Sequence, residues 1–281
     1  MSLDRVINIL VTITLIEMMV LIGLRVRFAE LAQTAGNGRL VARAAVANYL
    51  LVPAVTVALL MLFHVDAMVA AGFLVLAVCP GAPYGPPFAA IARANVPVAV
   101  GLMAILAATS TIISPALLHV LLPRISGGEA PQIDLFGMLG VLLVTQLLPL
   151  LVGLTVKHRR PQFADRLLAP LELVSKVLNL SVAGLILGTQ FRMLADISIA
   201  GFAGMLILLV ASLVIGWLAG GPGRTDRRTM ALTTSLRNIG LSLVIVTGNF
   251  AGTLAVSAAL AYGMVEVLGS LAVALWWARR N

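Results

Sequence analysis

Three ionisable side chains stand in stretches otherwise apolar enough to cross a membrane. They are Arg237 in TTSLRNIGLSLVIV (Thr233–Val246), Glu266 in YGMVEVLGS and Glu17 in TLIEMMV. An arginine at that depth costs at least ~2.5 kcal/mol on insertion scales, so each such group calls for a partner or a task. A guanidinium offers five donors in a planar fork. It can close the unpaired carbonyls at the end of an interrupted helix, or grip a carboxylate or sulfonate through two parallel bonds. Arg237 directly precedes Asn238-Ile239-Gly240, where the helix is expected to break. Glu266 is its expected partner, because two buried opposite charges are tolerated only when paired. Alternatively Glu266 binds and releases a proton while Arg237 is engaged elsewhere. Glu17 is either a second proton carrier or the partner of a polar group on a neighbouring helix. The chemistry on offer is the holding of anions and protons. No His-Asp-Ser or metal-ligand constellation appears at membrane depth, so no enzyme is expected. His64, His119 and His158 fall near the ends of apolar runs, and the lone Cys79 excludes an internal disulfide.

A second set of candidates lies in CPGAPYGPP (Cys79–Pro87), where four prolines and a pair of glycines cannot continue a helix. After Gly81, amide groups opening the next half-helix would face the membrane centre and favour an anion. Tyr84 would add a hydroxyl or an apolar wall. Thr145, Gln146, Asn179, Thr189 and Gln190 either face a cavity or bond neighbouring helices. Glu172 and Lys176, four apart on one helix, read as an ordinary ion pair. Gly216–Gly220 fits a small-xxx-small contact between helices.

The elements that must position these groups follow from composition. The chain has 281 residues, 60% hydrophobic and 11% charged, with mean hydropathy +1.07. Continuous apolar runs of about 20 residues recur from end to end, which predicts an all-α polytopic membrane protein embedded in a lipid bilayer rather than a β-barrel. Nine segments are expected, at 6–25, 41–63, 66–94, 97–122, 134–157, 164–190, 197–220, 229–250 and 253–278. The first lacks a clear cleavage site and is read as retained. One set of loops carries Arg25, Arg27, Arg39, Arg43, Arg93, Lys157, Arg159, Arg160, Arg166, Arg224, Arg227, Arg228, Arg279 and Arg280, against Arg5, Arg124 and Arg192 in the other. That bias puts the N-terminus outside and the C-terminus in the cytoplasm, in a plasma (inner) membrane. It also accounts for the net charge of +8, so no nucleic acid partner is expected. The whole chain, 1–281, forms one transmembrane domain of two repeats, about 1–122 and about 134–281. The triplets 41–63, 66–94, 97–122 and 197–220, 229–250, 253–278 have middle members running in opposite directions. An inverted repeat with two interrupted helices points to a transport site near the midplane.

These features resemble the bile acid:sodium symporter family, also called BASS or SBF. CPGAPYGPPFAAIARANVPVAV (Cys79–Val100) is similar to its Cys-Pro-Gly motif and the close of its first crossover helix. TTSLRNIGLSLVIVTGNF (Thr233–Phe250) is similar to its second crossover helix, and MMVLIGLRVRFAEL (Met18–Leu31) to its early helix and basic loop. The likeness covers nearly the whole chain. It implies a fold of panel and core domains with nine helices where the first of ten is absent. It also implies transport of small organic anions (bile acids, steroid sulfates, pantoate, 2-oxo acids) by alternating access, usually coupled to two sodium ions. The departures concern sodium. Positions that supply oxygen ligands in the family are occupied here by Gly85, Pro86, Ala99, Met103 and Thr233, and a family glutamine is Arg237. Sodium needs several oxygens, and a guanidinium within a few ångströms opposes it.

The expectation is therefore a secondary transporter of small organic anions, sodium-independent, with proton coupling through Glu266 or Glu17 as one option and no cofactor. Arg237 replaces a coupling sodium, holds the substrate anion, or forms a structural ion pair. Substrate contacts are expected from Arg237, Asn238, Gly81, Tyr84 and Glu266. A non-transporting receptor on the same scaffold and a conventional sodium-coupled symporter are the alternatives. Nothing in the sequence sets an oligomeric state.

Overall fold

The computed structural model describes residues 3–125, 134–195 and 199–280, without the side chains of Asp4 and of 190–195, 199 and 200. Gln190 and Arg192 therefore lie outside the described side chains. Among the described residues the chain is helical, with no strand. In order the helices are α1 (Leu3–Arg25), α2 (Phe28–Gly36), α3 (Gly38–Ala45), α4 (Val52–Leu62), α5 (Ala67–Ala77), α6 (Gly85–Ile91), α7 (Val96–Ile125), α8 (Leu135–Leu142), α9 (Leu148–Arg159), α10 (Pro161–Ala195), α11 (Ile199–Ala219), α12 (Arg224–Ser235), α13 (Ile239–Asn249) and α14 (Leu254–Arg279). Eight helical stretches among the described residues are long and apolar enough to cross a membrane. The expected third segment is instead two short helices, α5 and α6, around the Pro-rich interruption. The protein is an integral multi-pass membrane protein.

Two spans widen midway into π turns, at Val46–Leu51 between α3 and α4 and at Leu143–Leu147 between α8 and α9. Both precede a proline: Pro53 and Pro149. A proline ring clashes with the carbonyl four residues back and donates no N–H, and a π turn relieves the crowding by shifting the bonding to i→i−5. Val52 N–H accordingly bonds Ala47 O, and Leu148 N–H bonds Leu143 O.

One helix was not legible. Residues 26–40 read as a basic loop, yet Phe28–Gly36 forms α2. Glu30 Oε2 accepts the Arg27 N–H at its start, and Thr34 is buried against Gly101 of α7, where a Cβ would stand 2.1 Å from the Thr34 hydroxyl. A helix this short is held by tertiary contact rather than by propensity.

Small residues set the closest helix contacts. Gly23 of α1 meets the α9 backbone, where an added Cβ would lie 2.3 Å from Leu150 O. Gly216 meets Met230 O and Ala231 in the same way, as the Gly216–Gly220 spacing suggested. We expect Gly23→Ala to destabilise the protein by about 1–3 kcal/mol, since the clash is with backbone that has no rotamer to yield. Thermal unfolding in detergent checks this, and an unchanged midpoint would contradict it.

Candidate functional site

The two helix interruptions touch. Asn238 N–H donates to Cys79 O at 2.7 Å, joining the α12–α13 break to the α5–α6 break. On the first side, Ser114 Oγ of α7 donates to Val78 O at 2.6 Å, so the carbonyls that α5 leaves open are served from two neighbours. Gly81 follows at φ +91°, and any Cβ there would stand 2.5 Å from Ala107 N, which is why the chain turns at glycine. On the second side, Asn238 caps α13 by accepting from Leu241 N–H through its own Oδ1 at 3.1 Å.

Arg237 lies between these ends and is 1% exposed. Its Nη2 donates to Thr234 O at 2.8 Å, one of the last carbonyls of α12. Its Nη1 reaches Asn48 O at 3.5 Å. That second carbonyl is open for a local reason. In a π turn its donor would be the residue five positions on, which is Pro53. The guanidinium thus serves one carbonyl at the end of α12 and one left open in the π turn. Its Nε has no hydrogen-bond partner.

Glu266 is fully buried and adjacent, but not as a partner of the side chain. Its Oε1 accepts the backbone N–H of Arg237 at 2.7 Å, and its Oε2 is unpartnered. The expected guanidinium–carboxylate bond is replaced by a carboxylate cap on the broken backbone, because the N–H freed where α12 ends needs an acceptor too. Asn48 was not anticipated. Its Nδ2 donates to Ala44 O at 2.9 Å and Thr234 Oγ1 at 3.4 Å, while its Oδ1 is open. The signal was there in an asparagine five residues before a proline inside an apolar run. The second π turn carries Gln146, whose Nε2 bonds Ala107 O and Ser110 Oγ of α7, so Gln146 joins helices rather than facing a cavity.

A cavity of about 290 Å³ opens beside the breaks. Pro83 and Tyr84 line it from the first break and Ile239 and Gly240 from the second, together with Thr14 and Met18 of α1, Asn179 of α10, and Leu260, Gly263 and Met264 of α14. Of the expected contacts, Tyr84 lines this cavity. Asn238 precedes the lining residue Ile239 in the chain, and Asn238, Arg237 and Glu266 are buried without lining it. Gly81 is packed on α7. The following half-helix, α6, begins Gly85-Pro86-Pro87, so two of its first amides are missing and its start offers an anion little.

Glu17 stands apart from this cluster on α1, with Ser175 of α10 and Arg25 in its surroundings. The expected Glu172–Lys176 pair gives way to Arg25 Nη2–Glu172 Oε1 at 2.6 Å, which ties α1 to α10, while Lys176 points to the exterior. A larger cavity of about 550 Å³, between α4, α5, α11 and α14, is walled by Leu60, Phe73, Met205 and Leu208 and holds none of the expected groups.

Of the positions at which the resemblance implies sodium ligands, Gly85 and Thr233 meet. A Cβ on Gly85 would stand 3.5 Å from Thr233 Cγ2, and Gly85, Pro86, Ala99, Met103 and Thr233 are all buried. Between them they carry one side-chain oxygen, Thr233 Oγ1, which donates to Thr229 O at 3.0 Å and Met230 O at 3.2 Å.

Comparison with known proteins gives two matches. The family model described as the sodium bile acid symporter family matches residues 12–216. A rice protein (Oryza sativa subsp. japonica) named probable sodium/metabolite cotransporter BASS2, chloroplastic, is 23% identical over 275 residues, or 97% of this chain. The chain spans 64% of that relative's length. Arg237, Asn238 and Glu266 lie beyond the residues that the family model matches.

Proposed function

The chain belongs to the sodium bile acid symporter family, and on that premise we propose that it is a secondary transporter of small organic anions working by alternating access. The observation that carries this reading is the cavity beside the touching helix breaks. Its lining joins both interruptions and α14 to α1 and α10, and a site held between such helices is one around which two groups of helices can move against each other. A volume of about 290 Å³ suits a small carboxylate of the pantoate or 2-oxo acid class better than a steroid sulfate or bile acid. Tyr84, Asn179 and Thr14 supply hydrogen bonds, and Asn238 and Gly240 open α13 toward the substrate with its positive dipole end. Arg237 supplies the positive charge from outside this lining.

Transport on this reading is sodium-independent. One side-chain oxygen among five positions does not make a sodium site, and Arg237 already occupies the carbonyls of Thr234 and Asn48. Protons are the coupling ion. Oε1 of Glu266 is fixed by the Arg237 N–H, leaving Oε2 to take the proton. A proton there removes the negative charge beside Arg237, raises the potential in the cavity and admits the anion. One proton and one monoanion then cross together with no net charge. The protein sits in a plasma (inner) membrane, N-terminus outside and C-terminus in the cytoplasm, as the arginine bias supports.

Uptake of pantoate and 2-oxo acids into proteoliposomes, with sodium replaced throughout by choline, tests this. Undiminished uptake is expected. Strict sodium dependence would refute the coupling while leaving the transporter reading intact, and binding without flux would make the protein a receptor on this scaffold.

A further inference from the structure

The tryptophans of the chain, Trp217, Trp276 and Trp277, gather at one end of the bundle, and each lies under an arginine. Arg227 stands 5.8 Å from the ring of Trp217, Arg228 5.7 Å from Trp277, and Arg280 4.2 Å from Trp276. Trp217 and Trp277 are themselves 5.5 Å apart, so the pairs form one strip across the ends of α11, α12 and α14. Arg224 and Arg93 lie within electrostatic range of Arg228, and Arg43 Nη1 approaches Gly221. The one acidic residue in 217–228, Asp226, is engaged by Asn95 Nδ2 at 3.0 Å.

Topology signalling needs cations in a loop, but it does not need them stacked on indoles. The other basic loops, Arg25–Arg43 and Lys157–Arg166, contain no tryptophan. A guanidinium over an indole face keeps its N–H edge directed sideways, where it matches a phosphate through two bonds. Tryptophan rings settle at the headgroup level of a bilayer, and clusters of arginine beside membrane helices attract anionic headgroups. Trp276 (48% exposed), Arg279 and Arg280 form the open edge of the strip, while Arg227 and Arg228 are held inward by Gly221 O and Ala92 O. We propose that this end of the protein is a binding site for an anionic phospholipid. The phosphodiester sits on Arg279 and Arg280, and the upper acyl chain lies along Trp276 and Leu275.

The site reports on itself, because all of the protein's tryptophan emission arises there. The full-length protein is reconstituted in phosphatidylcholine with increasing phosphatidylglycerol carrying brominated acyl chains, and quenching is compared with brominated phosphatidylcholine. Preferential quenching by the anionic lipid is expected, with Arg279→Gln/Arg280→Gln weakening it about fivefold per arginine. The pair Arg159→Gln/Arg160→Gln, in the tryptophan-free basic loop Lys157–Arg166, leaves it unchanged. Equal quenching of the wild type by the two lipids would overturn the proposal. So would an equal loss in the Arg159/Arg160 pair, or abolition of the preference by inorganic phosphate.

Discussion

Arg237→Gln is expected to reduce anion uptake by about a hundredfold or more, the consequence of a buried charge site losing roughly 3 kcal/mol. Three losses coincide. Thr234 O and Asn48 O lose their donor, and Pro53 cannot supply the second. The positive charge near the cavity disappears. Glu266 keeps its bond to the backbone N–H of residue 237 but is left as a buried anion without a cation. Arg237→Lys restores the charge without the planar fork, so it retains part of the activity. Uptake at the wild-type rate in Arg237→Ala, measured at equal reconstituted protein, would end the proposed role.

Glu266→Gln separates coupling from folding. An amide oxygen still accepts the Arg237 N–H, so the helix break keeps its cap and the protein inserts normally. The charge beside Arg237 is then absent at every pH. The variant should exchange substrate across the membrane but fail to concentrate it when an inward proton gradient is imposed. In the wild type, one proton per anion allows about tenfold accumulation per pH unit, since 1.4 kcal/mol corresponds to tenfold. An undiminished response to the gradient in the variant would remove Glu266 from the coupling path and leave Glu17 to be tested in the same way.

The gross architecture was legible because membrane insertion writes itself locally. Apolar runs gave the spans, and CPGAPYGPP and the residues after Arg237 gave the interruptions. Proline cannot donate the helical bond, and a guanidinium at membrane depth needs acceptors that an unbroken helix does not offer. What escaped was partnership over distance. Glu172 lies one turn from Lys176 yet bonds Arg25, which is remote in sequence but faces it across α1 and α10. Glu266 serves a backbone N–H rather than a side chain because a broken helix exposes both. The short helix α2 depends on Thr34 meeting Gly101, a contact that no local pattern announces. Tyr84 lines the cavity from the break in which the sequence puts it, whereas the contribution of α10 was visible only as one polar residue among several, Asn179.

The π turns at Val46–Leu51 and Leu143–Leu147 have a consequence for chain length. A π turn amounts to a helix that has absorbed one surplus residue. Removing a single residue from an ordinary membrane helix rotates everything beyond it by about 100° and turns its packed face to lipid. Removal from within Val46–Leu51 would instead restore regular winding, leaving α3 and α4 on their present faces. What would vanish is the alignment of Asn48 with Arg237. The first turn is thus a place where a deletion would keep the helix faces, at the cost of pressing Pro53 onto the carbonyl four residues back and of an acceptor for Arg237.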